Sequence, residues 1–351
     1  MNQLQSYKRI DTLDYLRGFA LLGIVLMNII AILDIGIPKM NTGDASYQSF
    51  LFLFVESKFI TIFSFLFGVG FYLFITKANA KGNNGYILFL RRILALFGIG
   101  CIHGIFLNGE VLKEYAIFGI ILLLFYKMKK QVNLIIGIVG LIIACTFSIK
   151  ELVTLPLMLI GLAAGQYRIF ENISERRKQV TIFTVIMLLL GMAGVLYQYT
   201  QVPSSPFAPI VVSGIDDPET EQVNHFLSIG IMIGPIISSV YVGVLILFLQ
   251  SRFAQTLLHP LKFYGRMALT NYLGQTFILL AIGHIFHLFN QITYLQSLLL
   301  CVVIYVIQIL FSVMWMRFFT MGPMEWAWRV ITYWKVPPLL KIGNKNMLHK
   351  Q

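Results

Sequence analysis

The sequence predicts an all-α fold: a polytopic helical membrane protein of about ten transmembrane helices with both termini cytoplasmic. Three observations carry that reading. Of 351 residues, 58% are hydrophobic and only 12% charged, where a soluble domain carries about 25% charged residues. The apolar residues fall in runs long enough to cross a bilayer. Between those runs the basic residues alternate from rich to poor, as loops on opposite sides of a membrane do.

The runs lie near 15–35, 52–76, 90–108, 111–127, 132–149, 152–168, 179–200, 226–250, 267–288 and 293–318. Each reads as a helix, because lipid offers no partner to a backbone amide or carbonyl. With the N-terminus inside, all but Lys39, Lys58, Lys113 and Lys150 of the 27 basic residues fall on the inner side. One transmembrane domain results: a cytoplasmic segment 1–14, a bundle 15–318 and a cytoplasmic interfacial tail 319–351. Lys8 and Arg9 before the first run resemble a signal-peptide start. No small-residue cleavage site follows, and Asp14 and Arg17 interrupt the approach, so the run reads as an uncleaved anchor. The outer loop 201–225 holds Asp216, Asp217, Glu219 and Glu221 without a Lys or Arg, and reads as a solvated acidic loop or a lid.

The net charge of +12 belongs to the inner loops, so no nucleic-acid partner is implied and membrane lipids are the expected surroundings. Cys101, Cys145 and Cys301 sit in apolar runs without CxxC spacing and read as small hydrophobes. Nucleotide-binding loops and the HExxH and GxSxG motifs find no supportable context, which argues against ATP-driven transport and soluble hydrolase chemistry. No metal is predicted; His284 and His287 share a helix face but lack a third ligand.

A charged side chain at mid-helix costs about 2.5–3.5 kcal/mol on insertion scales, so each needs a partner or a cavity. Five groups stand out. Asp14 and Arg17 are spaced to pair, and Asn28 lies three turns beyond Arg17 on the same face, about 16 Å away. Glu56 and Lys58 open the second run ahead of a small-residue stripe at Ser64 and Gly68. His103, between glycines, precedes Glu110 by seven residues, a general base with an acid partner or a structural hydrogen-bonder. Arg266, Thr270, Asn271 and Gln275 make a polar helix start suited to an anionic head group or to interfacial anchoring. Glu325 and Arg329 are spaced as an i,i+4 pair in a tryptophan-rich surface helix.

The segments RIDTLDYLRGFALLGIVLMNI, KFITIFSFLFGVGF, GIGCIHGIFLNGEVLKEYA, GRMALTNYLGQ and GPMEWAWRVITY together resemble the YeiB-type family of bacterial inner-membrane proteins, over residues 9 to about 333. That family is distantly similar to transmembrane acyltransferases of the heparan-alpha-glucosaminide acetyltransferase and polysaccharide O-acetyltransferase types. Two departures from the family pattern are visible: Glu110 stands where an aspartate is usual, and the chain is shorter around Lys150 and Glu151. The histidine that the glucosaminide branch carries soon after its first span has no counterpart between Ile29 and Phe59.

The resemblance implies a membrane-embedded acyltransferase moving an acyl group, acetyl in the simplest case, from cytoplasmic acyl-CoA to an extracytoplasmic glycan or lipid. On that reading His103, oriented by Glu110, is the base, and Asn28 or Tyr115 steadies the oxyanion. Arg17, Arg266 and Arg329 hold the donor phosphates, and Asp14, Lys58, Asn271, Gln275 and Glu325 complete the candidate binding set. The alternative is a small-molecule transporter or exporter that uses the same polar residues.

Overall fold

The computed structural model describes residues 10–107, 109–208 and 217–341. Its elements are α1 (Asp11–Ile32), α2 (Gly43–Phe54), α3 (Lys58–Ala80), α4 (Gly85–His103), α5 (Leu112–Phe125), α6 (Lys130–Thr146) and α7 (Lys150–Gln166). There follow α8 (Arg177–Thr200), α9 (Pro218–Phe248), α10 (Arg252–Leu257), α11 (His259–Arg266), α12 (Ala268–Ile285), α13 (Tyr294–Phe318) and α14 (Pro323–Tyr333). Among the described residues the only β pairing is an isolated bridge, Phe319 with Leu340. The protein is all-helical, and a helix covers each of the ten predicted runs.

By length and composition, six helical stretches among the described residues are able to cross a membrane: α1, the stretch Gly43–Ala80, α4, α8, α9 and α13. The surface agrees with that environment. Along α8, Ile182, Phe183, Ile186, Leu189 and Leu196 are all exposed, and only 11% of its apolar window is buried. Water does not tolerate apolar patches of that extent on a monomer; lipid does.

Three local differences from the sequence expectation have physical causes. The second run is broken between α2 and α3, where Ser57 takes a left-handed φ of 64°. The ninth begins as a separate helix, because α11 ends at Arg266 and Met267 stands outside helical geometry before α12. The acidic outer loop is shorter than its predicted 201–225. Asp217 caps α9 by accepting from the Thr220 amide at 3.2 Å, and Pro218 occupies the first turn. Glu219 and Glu221 therefore sit at the positive end of a helix dipole rather than in a loop. Asp216 lies outside the described residues.

Glycine sets the closest helix contacts. A Cβ on Gly68 of α3 would strike the Met158 carbonyl of α7, and one on Gly161 of α7 would strike the Phe65 carbonyl of α3. Gly165 lies against Tyr72 in the same register, so α3 and α7 run parallel. Likewise, Gly265 of α11 lies on the Asp14 carbonyl and Gly18 of α1 on the Leu261 carbonyl. Small residues admit such backbone approach, the usual basis of helix association in lipid.

Gly161→Val therefore forces backbone apart and is expected to cost at least about 1–3 kcal/mol, read as a lower melting temperature in detergent. Gly98→Ala, with nothing within 4 Å of the new methyl, is the control and leaves the melt unchanged or slightly raised.

Candidate functional site

His103 is the last residue of α4 and is 1% exposed. The chain turns back through Gly109 at a φ of 77°, which a glycine adopts without strain. That turn returns Glu110 to the histidine, with Nδ1 and Oε1 3.3 Å apart. The Glu110 carboxylate also accepts from the amides of Leu112 at 2.9 Å and Lys113 at 3.1 Å, closing the first turn of α5. Tyr272 donates to the same Oε1 at 3.4 Å. A carboxylate so surrounded by donors is matched by N–H at Nδ1, which leaves the Nε2 lone pair facing outward from the pair. Nε2 meets the Thr276 hydroxyl of α12 at 3.0 Å. Glu110, His103 and Thr276 thus form a buried carboxylate–imidazole–hydroxyl series across three elements.

The remaining candidate catalytic residues are placed apart from it. Tyr115 is buried, donates to the Ile60 carbonyl at 3.2 Å and shares a 2.7 Å contact with the Ser64 hydroxyl. Asn28 is half-buried in α1 and makes no side-chain hydrogen bond among the described residues.

At the end of the bundle where α1 starts, Asp14 is buried and pairs with Arg17 at 3.2 Å. Arg17 shares an electrostatic neighbourhood with Arg92, Arg329, Glu325 and Tyr333. Arg92 stacks over the Trp328 ring at 3.5 Å and over Phe74 at 5.0 Å, and Trp328 donates back to the Arg92 carbonyl at 2.7 Å. The charges of Arg17 of α1 and Arg329 of α14 thus act on Arg92 of α4. Sequence reasoning counted Arg92 only as a loop charge. Its position before a phenylalanine- and tryptophan-rich partner 236 residues away leaves no local signal.

Glu325 differs from expectation. No ion pair joins it to Arg329 among the described residues, and Arg329 lies over Tyr333 instead. Its carboxylate accepts from the amides of Leu269 at 2.7 Å and Thr270 at 3.1 Å and from the Thr270 hydroxyl at 2.6 Å. The start of α12, read from sequence as open to an anionic head group, thus already holds an anion from α14. Arg266 donates to the Thr320 carbonyl at 3.5 Å. Asn271 clasps three helices, donating to Tyr264 and to Ser312, both at 2.9 Å. Gln275, fully buried, finds no partner for either amide atom among the described residues.

In the other half of the bundle, Lys58 is fully buried and donates to the Phe52 carbonyl at 2.9 Å across the α2–α3 break. Beside it Glu56 pairs with Lys150 at 2.5 Å. Lys150 lines a narrow cleft with the hydroxyl-bearing residues Ser57, Thr61, Ser64 and Thr154. No His103, Arg17 or Asn28 atom lines it. Among the described residues no three His, Cys, Asp or Glu side chains gather as metal ligands. His284 and His287 do not share a helix face: α12 ends at Ile285, His287 takes a left-handed φ of 53°, and His284 is exposed with Nδ1 2.8 Å from its own helix's Leu280 carbonyl.

Fold and site define a membrane protein with a buried imidazole–carboxylate pair at one level and an arginine cluster at another. Residues 9–173 match the heparan-alpha-glucosaminide N-acetyltransferase catalytic region, and residues 164–335 match the family described as "Protein of unknown function (DUF418)". The "Uncharacterized 39.9 kDa protein in amylase 3'region" of Bacillus acidopullulyticus is 52% identical over 97% of this chain and 99% of its own length. YxaH of Bacillus subtilis (strain 168) is 27% identical over 97% of this chain and 99% of its own. YeiB of Escherichia coli (strain K12) is 27% identical over 92% and 95%. The chain belongs to this YeiB-type family, which is related to membrane acyltransferases. No solved structure matches it significantly.

Burial pushes the Glu325 carboxyl above its ordinary value, against the hydrogen bonds from Thr270 and Leu269 that favour the anion. A raised folded value means the folded protein holds the proton more tightly than the unfolded chain. Stability from this group is then full below the ordinary carboxylate value and falls as pH rises through the raised one. Glu325→Gln is expected to flatten that fall when melting temperature is followed from about pH 4 to 8; parallel profiles for the two proteins would contradict it.

Proposed function

We propose that the protein is a membrane-embedded acyltransferase of the bacterial inner membrane, taking an acyl group from cytoplasmic acyl-CoA to an extracytoplasmic glycan or lipid. The observation that carries the reading is His103 itself: a buried imidazole with a carboxylate on Nδ1 and a hydroxyl on Nε2. That is the arrangement by which an enzyme takes a proton from an alcohol and returns it to a leaving group. The match of residues 9–173 to an acetyltransferase catalytic region supports it independently, since His103 and Glu110 both fall within that region.

The arginine cluster supports a polyanionic donor. Like charges gathered at one place repel, and a planar guanidinium is suited to phosphate oxygens. Arg17, Arg92 and Arg329 would hold the phosphates of the donor, Glu325 fixing the start of α12 beside them. Ten spans with both termini inside would put this cluster on the cytoplasmic side and His103 in the outer half. Asn28, whose amide has no hydrogen-bond partner among the described residues, would steady an oxyanion or the acyl carbonyl. Tyr115 serves instead to hold α5 on α3, its proton being given to the Ile60 carbonyl.

With cells supplied with labelled acetate, His103→Ala is expected to lower protein-dependent acylation of envelope glycans or lipids by at least about 100-fold. Glu110→Gln should lower it too, by misorienting the imidazole. Arg92→Ala should raise the donor concentration needed for half-maximal rate and leave the maximal rate nearer to normal. Equal labelling in wild type and His103→Ala would remove the reading.

A further inference from the structure

We propose that Thr276 is the first acceptor of the acyl group, so that transfer passes through an ester on its side chain. The inference rests on the acyltransferase reading and adds a covalent step to it.

Three observations point to Thr276. First, its hydroxyl is committed to the imidazole. Other helix-borne hydroxyls here, those of Thr61, Ser64, Thr184, Ser238 and Thr332 among them, bond to the carbonyl one turn back. Such back-bonding is the ordinary fate of a hydroxyl inside a transmembrane helix. Thr276 has His103 Nε2 at 3.0 Å as its only hydrogen-bond partner among the described residues. Second, the far nitrogen of that imidazole is fixed by Glu110 at 3.3 Å, and Glu110 is itself anchored by two amides and a phenol. A hydroxyl, a base in reach and a third group orienting the base make up an activated nucleophile. Third, an apolar surface groove lies one helical turn from the buried series. Phe277 packs against both His103 and Phe106, and the groove beside them is lined by Phe106, Phe277, Leu280 and Ala281. Leu280 stands one turn from Thr276 on α12, so the groove offers an acyl chain an apolar seat against the helix segment that carries the hydroxyl.

The chemistry balances without another reagent. His103 Nε2 takes the Thr276 hydroxyl proton as Oγ1 attacks the thioester carbonyl of acyl-CoA. The carbon–sulfur bond breaks, and the proton passes from Nε2 to the departing sulfur as free CoA thiol. An acceptor hydroxyl then loses its proton to Nε2 and attacks the Thr276 ester. The acceptor leaves acylated and the proton returns to Oγ1. Base and orienter come from the acetyltransferase-like half of the chain and the nucleophile from the other half.

The test uses purified full-length protein in detergent with radiolabelled acetyl-CoA, first alone and then with an envelope extract. Without extract, wild type is expected to retain up to one acetyl group per chain, released by alkaline hydroxylamine and mapped by mass spectrometry to the peptide that carries Thr276. Thr276→Ser should still take the label. Thr276→Val should take none and should transfer to the extract at least about 100-fold more slowly. Transfer by Thr276→Val at the wild-type rate would overturn the ester while leaving the acyltransferase reading in place, as would label mapped to His103. Absence of transfer by wild type would overturn both.

Discussion

Glu110 performs two tasks with one carboxylate. It closes the first turn of α5 through the amides of Leu112 and Lys113, and it fixes His103 through Nδ1. The first task makes the second dependable. A carboxylate held by a helix start cannot wander, and hydrogen bonds of this kind to a charged acceptor contribute more than neutral ones. Everything proposed for this protein follows from the imidazole orientation that results. Tyr272 and Thr276, one turn apart on α12, close the remaining sides, so the function reads from four residues on two helices, α4 and α12, and the turn between α4 and α5.

The bilayer explains why such groups gather. A polar side chain facing lipid alone is costly, so the membrane sorts polar groups inward, toward one another. Most of them here are used up in fastening: Asn271 between α11, α12 and α13, Lys58 across the α2–α3 break, Glu325 at the start of α12. Against that background the exceptions stand out. Gln275 is buried with both amide atoms unsatisfied among the described residues, at a cost of about 1–3 kcal/mol for such a group. Asn28 makes no side-chain hydrogen bond among the described residues. The charges of Arg17, Arg329 and Glu325 all act on Arg92. Gln275 and Asn28 are the places where the described fold holds polarity that it does not consume, and they are where a substrate is expected.

Much of the fold was legible in the sequence because lipid leaves so few choices: an apolar run of the right length becomes a helix. The breaks were harder to see. Ser57 in a left-handed conformation and the capping of α9 by Asp217 are local events that hydropathy averages away. Within the site, His103 and Glu110 were visible as a pair because they are 7 residues apart, and Gly109 supplies the turn that joins them. Thr276 was not, because 173 residues separate it from its imidazole and its own segment reads as ordinary helix. Glu325 misled for the same reason: its spacing to Arg329 is local, and its true partners on α12 are 55 and 56 residues away. Periodicity reports what a helix does with itself; it is silent on which helix comes next to it.

The most direct measurement of the central claim is acyl transfer across a sealed membrane. Purified protein is reconstituted into vesicles enclosing an envelope extract, and labelled acetyl-CoA is supplied outside. The account predicts acetylated acceptor inside the vesicles and free CoA thiol outside, both dependent on His103. Formation of neither by wild type, with the vesicles intact and the protein folded, would contradict it.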